Sequence, residues 1–413
     1  MAKQSTAQAA SNAPNYLMPF IIVTALFGIF GFLTSLNNQL VGKLKEIFNL
    51  PYGPSMLATS AWFFAYLVFS VPSAKLIEKI GYKSTMVTSL FIMVVGALLF
   101  VPAANQVSFN LTLFAIFVLA TGVCALQTSA NPYVAILGPE SSASARLNLA
   151  QAFNSGASAA AGWFAAKFIL ADTTKVSDST AQAHMLEMPY VYIAAGLLVL
   201  GFVVMFLHLP SIASARPSED SPAEGRSIWS FSHTVLGMIG IFFYVGVEIA
   251  LASICISYCK KEGISSIETA GILVTVYYLL IMIGRFAGSA LMSVFKAEKM
   301  LVLLGILGVA LMLVSMFTTG NIAIGSLVLC GLANSIMYPT IFTLGISELG
   351  HMTSKGSGVI TIGNVGGAIV PPLFGFLVDK IGIHYAFVLP ILCYLFITYY
   401  GLSGYKPTPA NAS

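Results

Sequence analysis

The sequence predicts an all-α integral membrane protein of twelve transmembrane helices, arranged as two pseudo-symmetric six-helix halves. Three observations carry that expectation. Of the 413 residues, 57% are hydrophobic and only 8% are charged, where a soluble chain carries roughly 25% charged residues. A soluble domain cannot hide that much apolar surface, whereas lipid removes the need to hide it. The apolar residues also fall into runs of about 20, the length that crosses a hydrocarbon core, and short motifs of the first six runs recur in the last six.

Residues 1–15 are polar and rich in Ala, Ser and Gln, without the apolar core and small-residue cleavage site of a signal peptide. Insertion is therefore expected to use the first helix itself. The first half reads as helices near 17–40, 55–79, 84–102, 109–132, 146–170 and 189–208. The longest internal polar stretch, Pro210 to Arg226, reads as a flexible linker. The second half reads as 230–258, 268–293, 299–318, 322–346, 354–378 and 384–403. These boundaries define an N-terminal bundle at 1–209, a cytoplasmic linker at 210–227 and a C-terminal bundle at 228–413. With both termini on the cytoplasmic side, twelve of the 19 Lys and Arg residues fall inside, which the positive-inside rule favours.

Composition also excludes function classes. The net charge of +4 comes from basic residues scattered among short loops, with no basic stripe that would serve nucleic acid. The five cysteines all lie in apolar runs; Cys255 and Cys259 share a helical face, yet no His or further Cys lies nearby in sequence to complete a metal site. Core packing is the expectation for them, and no cofactor, metal or disulfide is implied. The five histidines sit at helix ends or in loops, so no catalytic constellation is expected and the chain does not read as an enzyme.

The halves echo one another. Helix four ends in Pro132-Tyr-Val-Ala-Ile-Leu-Gly138 and helix ten in Pro339-Thr-Ile-Phe-Thr-Leu-Gly345, with Pro, Leu and Gly at the same offsets. Some twenty residues later come Phe153-Asn-Ser-Gly-Ala and Gly363-Asn-Val-Gly-Gly-Ala. Parallel six-helix repeats on either side of a long loop resemble the organisation of the major facilitator superfamily.

Polar groups inside the apolar runs must find partners or face water. Gln127 and Asn131 are four apart on helix four, Gln151 and Asn154 three apart on helix five, Asn334 and Tyr338 four apart on helix ten, and Thr361 and Asn364 three apart on helix eleven; each pair shares a face. Asn37 and Asn38 lie in helix one. One reading has these amides as helix-to-helix glue, each bond worth ~0.6 kcal/mol. The other has them lining a cavity for a neutral polyhydroxylated ligand, because carboxamides donate and accept at once and aromatic faces suit a sugar ring. Glu248, in Phe242-Phe-Tyr-Val-Gly-Val-Glu-Ile-Ala, has no Lys or Arg on its own turn. A mid-membrane carboxylate costs ~2.5–3.5 kcal/mol on insertion scales, which suits it to bind and release a proton; satisfaction by Tyr244 one turn away is the alternative. Glu78, Lys79, Lys83, Arg146 and Arg285 read as charges near cytoplasmic helix ends, either latching one conformation through inter-helix ion pairs or snorkelling to the interface. The run Glu78 to Lys83 resembles the facilitator loop signature, with Glu and Lys in place of Asp and Arg.

The stretch Leu126 to Glu140, followed by Arg146-Leu-Asn-Leu-Ala-Gln-Ala-Phe-Asn154, resembles the fucose/galactose/glucose:proton symporter family. Phe32 to Phe48, Tyr338 to Gly345 and the segment after Gly356 are similar too, so the resemblance covers nearly the whole chain. It implies a monosaccharide importer of the bacterial inner membrane, working by alternating access as a monomer. Gln151, Asn154 and Tyr338 match sugar-site positions of the fucose-specific members, and Gln127, Asn131, Asn38 and Asn364 are expected to add to that site. Those members carry an Asp at Asn38 and a Glu at Gln127. The glucose/galactose and N-acetylglucosamine branch instead resembles this chain at Gln127 and carries a helix-seven Glu like Glu248, so Glu248 is the expected proton site. Sodium coupling, uncoupled uniport and, from a different class, export of amphipathic compounds remain as alternatives; an exporter's cavity should hold more aromatics and Met and fewer amides.

Overall fold

A computed structural model describes residues 16–48, 57–168, 184, 186–210, 226–261 and 267–407. The N-terminal 15 residues and most of the linker assignment, 211–225, lie outside the described residues. Every regular element among the described residues is helical. The first half comprises α1 (Leu17–Ile47), a long run Leu57–Leu98 that holds α2 and α3, a short continuation Phe100–Asn105, α4 (Phe109–Ile136), α5 (Ala143–Phe168) and α6 (Glu187–Phe206). The second comprises α7 (Ser232–Lys261), α8 (Ile267–Leu291), α9 (Ala297–Phe317), α10 (Gly320–Asn334 and Met337–Gly345), α11 (Thr353–Ile362, a 3-10 turn Gly363–Val365, and Gly366–Ile381) and α12 (Ile383–Ala386, Val388–Tyr399 and a π turn Tyr400–Gly404).

Ten helical stretches among the described residues are long and apolar enough to cross a membrane. One of them, Leu57–Asn105, runs 49 residues, roughly 73 Å at 1.5 Å per residue, more than twice the ~30 Å hydrocarbon core. It divides at Gly81, whose φ of 79° and ψ of 170° break the helix and which a side chain would strain. Residues 57–80 are therefore α2 and residues 82–98 are α3. The amide- and serine-bearing α5 completes the twelve-helix architecture; its sequence is the least apolar of the long helices because much of its surface meets protein rather than lipid.

The helices carry little amphipathic signal because the environment is inverted. Large apolar side chains face outward on the lipid side, as with Phe206 (81% exposed) and Phe317 (76%), while Gln127, Asn131, Asn334 and Arg285 are buried. Within the halves α1 packs on α5, α4 on α2 and α3, α7 on α11, and α9 on α10 and α12. The halves meet chiefly where α2 lies against α11 and α8 against α5. Those two seams are each other's repeat equivalents, since α2 corresponds to α8 and α5 to α11.

The tightest approach joins α7 to α11. A Cβ on Gly366 would overlap the Phe242 carbonyl, and its neighbour Gly367 faces the Phe63 ring of the other half. Gly366→Val should therefore push the two helices apart, at a cost of about 2 kcal/mol or more. A melting curve of the purified protein in detergent should show a Tm several degrees below wild type; an unchanged Tm would mean the contact yields without cost.

Candidate functional site

A proline inside a helix leaves the carbonyl four residues earlier without its helical donor, and in a membrane that carbonyl must be satisfied some other way. Pro132 frees the Thr128 carbonyl of α4, and the Ser357 hydroxyl of α11 donates to it at 2.7 Å across the seam between halves. Pro339 frees the Ser335 carbonyl, where α10 breaks, and Arg285 Nε of α8 donates to it at 3.1 Å. The equivalent prolines of the two repeats thus each place an acceptor near the molecular centre.

Arg285 does more than fill that acceptor. Only 5% exposed, it donates from Nη1 to the Gln151 carbonyl (3.0 Å) and the Ser155 hydroxyl (2.6 Å) of α5, and from Nη2 to the Tyr244 hydroxyl of α7 (3.4 Å). Tyr244 is also within hydrogen-bonding reach of the Glu248 carboxylate, on which the Arg285 charge acts. The Glu248 backbone carbonyl accepts from Tyr277 at 3.2 Å. Glu248 is therefore not solitary: Tyr244, one turn away on its own helix, is the partner that spacing offered, while Arg285 and Tyr277 come from the next helix, which spacing along one helix cannot reveal. Arg285 in turn is not an end-of-helix charge. It lies six residues before the end of α8, roughly 9 Å into the span. The signal was in the sequence, since an Arg inside an apolar run reads as functional.

Tyr338 is the second centre. Its hydroxyl accepts from Asn131 Nδ2 across the seam (3.4 Å) and from Asn364 Nδ2 (3.5 Å), which also donates to the Thr361 carbonyl at 2.9 Å. Its ring stacks on Phe342 with centroids 6.3 Å apart and lies 6.0 Å from that of Tyr244. Gln127 Oε1 and Asn131 Oδ1 are buried with no hydrogen-bond partner among the described residues. So is the indole nitrogen of Trp62. Trp62 lies one turn from Tyr66 on α2, and Tyr66 is within electrostatic reach of Tyr338. Sequence reading passed over both because buried aromatics usually signify core; their four-residue spacing on one face was the available hint.

The other expected site residues divide. Gln151 is buried and takes part through its carbonyl, while Asn154 is half-buried and donates to the Phe27 carbonyl of α1 at 3.0 Å. Asn38 is exposed and the structure does not bring it to this group, whereas Asn37 beside it is buried. Asn334 bonds away from Tyr338: its amide donates to Tyr277 (2.7 Å) and accepts from Tyr394 (2.8 Å), and through Tyr277 it links to the Glu248 backbone. The end charges also differ from a common latch. Glu78 pairs with Lys355 of the other half at 3.8 Å, joined by the Ser354 hydroxyl at 3.5 Å. Lys79 is exposed beside them. Lys83 bonds the Met205 carbonyl at 2.8 Å within its own half. Arg146 donates to the Val134 (3.2 Å), Ala135 and Pro139 (2.9 Å) carbonyls and to Ser142, capping the end of α4. Neither crosses the seam in these bonds.

From mid-span to the linker end the halves are further joined by Ser144 with Thr343 (2.6 Å), Ser289 with the Ala145 carbonyl (2.8 Å) and Asn148 with Met292 Sδ (3.3 Å). The molecule is closed at that end. Among the described residues no group of three or more His, Cys, Asp or Glu is placed to hold a metal ion.

The family model of the Major Facilitator Superfamily matches residues 18–364. A glucose/galactose transporter of Brucella abortus is 40% identical over 398 residues, covering 96% of each chain. The L-fucose-proton symporter of Escherichia coli K12 is 34% identical over 409 residues, covering 94% of this chain and 93% of its own. The crystal structure of a fucose transporter, FucP, in the outward conformation superposes with a TM-score of 0.85 at 33% identity, covering 95% of this chain and 99% of its own.

The cross-half bond from Ser357 to the proline-freed Thr128 carbonyl generates one prediction. Ser357→Ala leaves that carbonyl buried and unpaired, which costs about 1–3 kcal/mol. The loss falls on the arrangement closed at the linker end. Reporter labels on that end of α2 and α11 should show a shift towards larger separations, while Ser→Ala at the exposed Ser293 should leave the distribution unchanged.

Proposed function

The chain belongs to the major facilitator superfamily, and we propose that it is a monosaccharide transporter, importing a hexose such as glucose or galactose by alternating access with proton coupling. The single observation that supports this most is the pair of buried carboxamide oxygens one turn apart on α4, Gln127 Oε1 and Asn131 Oδ1, which find no donor among the described residues, with the Asn131 amide reaching the Tyr338 hydroxyl. Sugar hydroxyls are donors of the right kind. Tyr338 accepts from two amides, so its own proton is available to a ligand oxygen, and its ring offers an apolar face to the sugar. Trp62 adds an indole donor. Millimolar affinity needs only about −4 kcal/mol net, within reach of three or four such bonds. The relatives named above, a glucose/galactose transporter and a fucose-proton symporter, fit this reading.

Coupling is assigned to Glu248 acting through Tyr244 and Arg285. With Glu248 charged, Arg285 has a counter-charge and holds α5 of the opposite half. A proton on Glu248 removes that counter-charge and leaves a cation whose remaining partners are neutral. The balance between the two closed states then depends on protonation, as symport requires. The linker end is taken as cytoplasmic, with both termini on that side of a bacterial inner membrane. The described arrangement, closed there, is then the outward-facing one. The working unit is the monomer, since the site lies between halves of one chain.

Uptake of labelled glucose, galactose, fucose and N-acetylglucosamine into proteoliposomes, with and without an inward proton gradient, tests the reading. We expect proton-driven accumulation of a hexose. Glu248→Gln should abolish accumulation while sugar exchange survives, and Tyr338→Phe should weaken affinity roughly tenfold, the loss of about 1.4 kcal/mol of hydrogen bonding. Uptake indifferent to protons but driven by sodium, or by neither, would reassign the coupling. Folded protein that moves no sugar would overturn the substrate class.

A further inference from the structure

The closed linker end carries a cavity that the transport reading does not use. It measures about 490 Å³ and lies where α2 meets α11 and the turn before α7, so both halves contribute walls. Lys75, Glu78 and Lys79 come from α2, Lys355 from α11, and Trp229 from the turn Ile228–Ser230. Three ammonium groups thus face one carboxylate. Glu78 is already engaged by Lys355 at 3.8 Å and by the Ser354 hydroxyl. Lys75 and Lys79, one turn apart on one face, have no acidic partner among the described residues and repel one another.

The apolar surroundings specify what kind of anion fits. Above the two lysines, α2 presents Phe64, Leu67, Val68 and Val71, all exposed, at the spacing of a single helical stripe. The stripe runs about 16 Å from Phe64 to Lys75, a length suited to an acyl chain, and Val71 is itself a wall of the cavity. Trp229, 54% exposed, is a wall of the same cavity as Lys75, Lys79 and Val71. Indole rings favour the depth between headgroups and hydrocarbon. A free inorganic anion would have use for the lysines only. An amphiphile with an anionic headgroup uses lysines, indole and stripe together.

The geometry points to a binding site for an anionic phospholipid, its phosphate between Lys75, Lys79 and Lys355 and one acyl chain along the exposed face of α2. Because the walls come from both halves, the bound lipid bridges the seam beside the Glu78–Lys355 pair. Basic pockets between transmembrane helices are an established chemistry for such headgroups.

The test uses the full chain with Trp62→Phe and Trp163→Phe, which leaves Trp229 as its one tryptophan, in phosphatidylcholine nanodiscs. Brominated phosphatidylglycerol or brominated phosphatidylcholine is added at equal mole fraction and Trp229 quenching is read. We expect the anionic lipid to quench at least threefold more strongly. Lys75→Gln with Lys79→Gln should reduce it to the phosphatidylcholine level, and the paired Arg substitutions should preserve it. Equal quenching by both lipids overturns the proposal. So does a lysine-dependent shift of Trp229 emission by millimolar inorganic phosphate in phosphatidylcholine alone, since that makes the site one for a free anion. If the tryptophan variant does not fold, native mass spectrometry of the otherwise unaltered chain decides: retained phosphatidylglycerol lost on the double Gln substitution supports the site, and retention unchanged by it overturns the site.

Discussion

A guanidinium inside a membrane must find an acceptor for each donor it turns inward, and much of this molecule's centre is arranged around that demand. Arg285 meets it with two carbonyls and two hydroxyls drawn from α5, α7 and α10. Two of those acceptors belong to the opposite half. Arg285, whose charge acts on Glu248, is thus also bonded to α5 of the opposite half.

Two of the backbone acceptors lie where helices are interrupted. A carbonyl in a regular helix is already bonded and takes a second donor on its other lone pair, as the Gln151 carbonyl does for Arg285, whereas a proline frees the carbonyl outright. Pro132 and Pro339 create such breaks at equivalent positions of the two repeats. Repeat symmetry does not extend to the donors. Thr128 receives a serine from across the seam, while Ser335 receives an arginine from its own half. A duplicated scaffold has thus acquired one neutral, separable contact and one charged hub.

Much of the architecture was legible in the sequence because membrane helices announce themselves by length and apolarity, and because the two repeats share proline and glycine offsets. The α2–α3 break at Gly81 was visible in Ile80-Gly-Tyr-Lys83 for the same reason. The site was legible as a set of helices more than as a set of partners. Asn131, Tyr338 and Asn364 are joined by hydrogen bonds, with Gln127 buried one turn from Asn131, because face-sharing pairs on different helices have one interior to point into. Asn334 shares a face with Tyr338 by spacing yet bonds Tyr277 and Tyr394. Periodicity says which residues align along one helix and is silent on which neighbour that face meets. Arg146 and Arg285 looked alike as basic residues near helix ends. One caps α4 and the other reaches the centre, a difference set by their depth and by which carbonyls the neighbouring helices leave free.

The kind of contact between the halves matters as much as its place. Eight hydrogen bonds and one ion pair join them among the described residues. At ~0.6 kcal/mol for a bond between membrane helices, the eight contribute roughly 5 kcal/mol. Moving a two-state balance from 1:99 to 99:1 takes about 5.5 kcal/mol of differential interaction. A seam made of many weak polar contacts is of that size. A tightly interdigitated apolar seam of the same extent would be harder to part, since its contacts would all have to be lost at once. The serines and amides along α5, α10 and α11 set the closed state at a depth from which the molecule can leave.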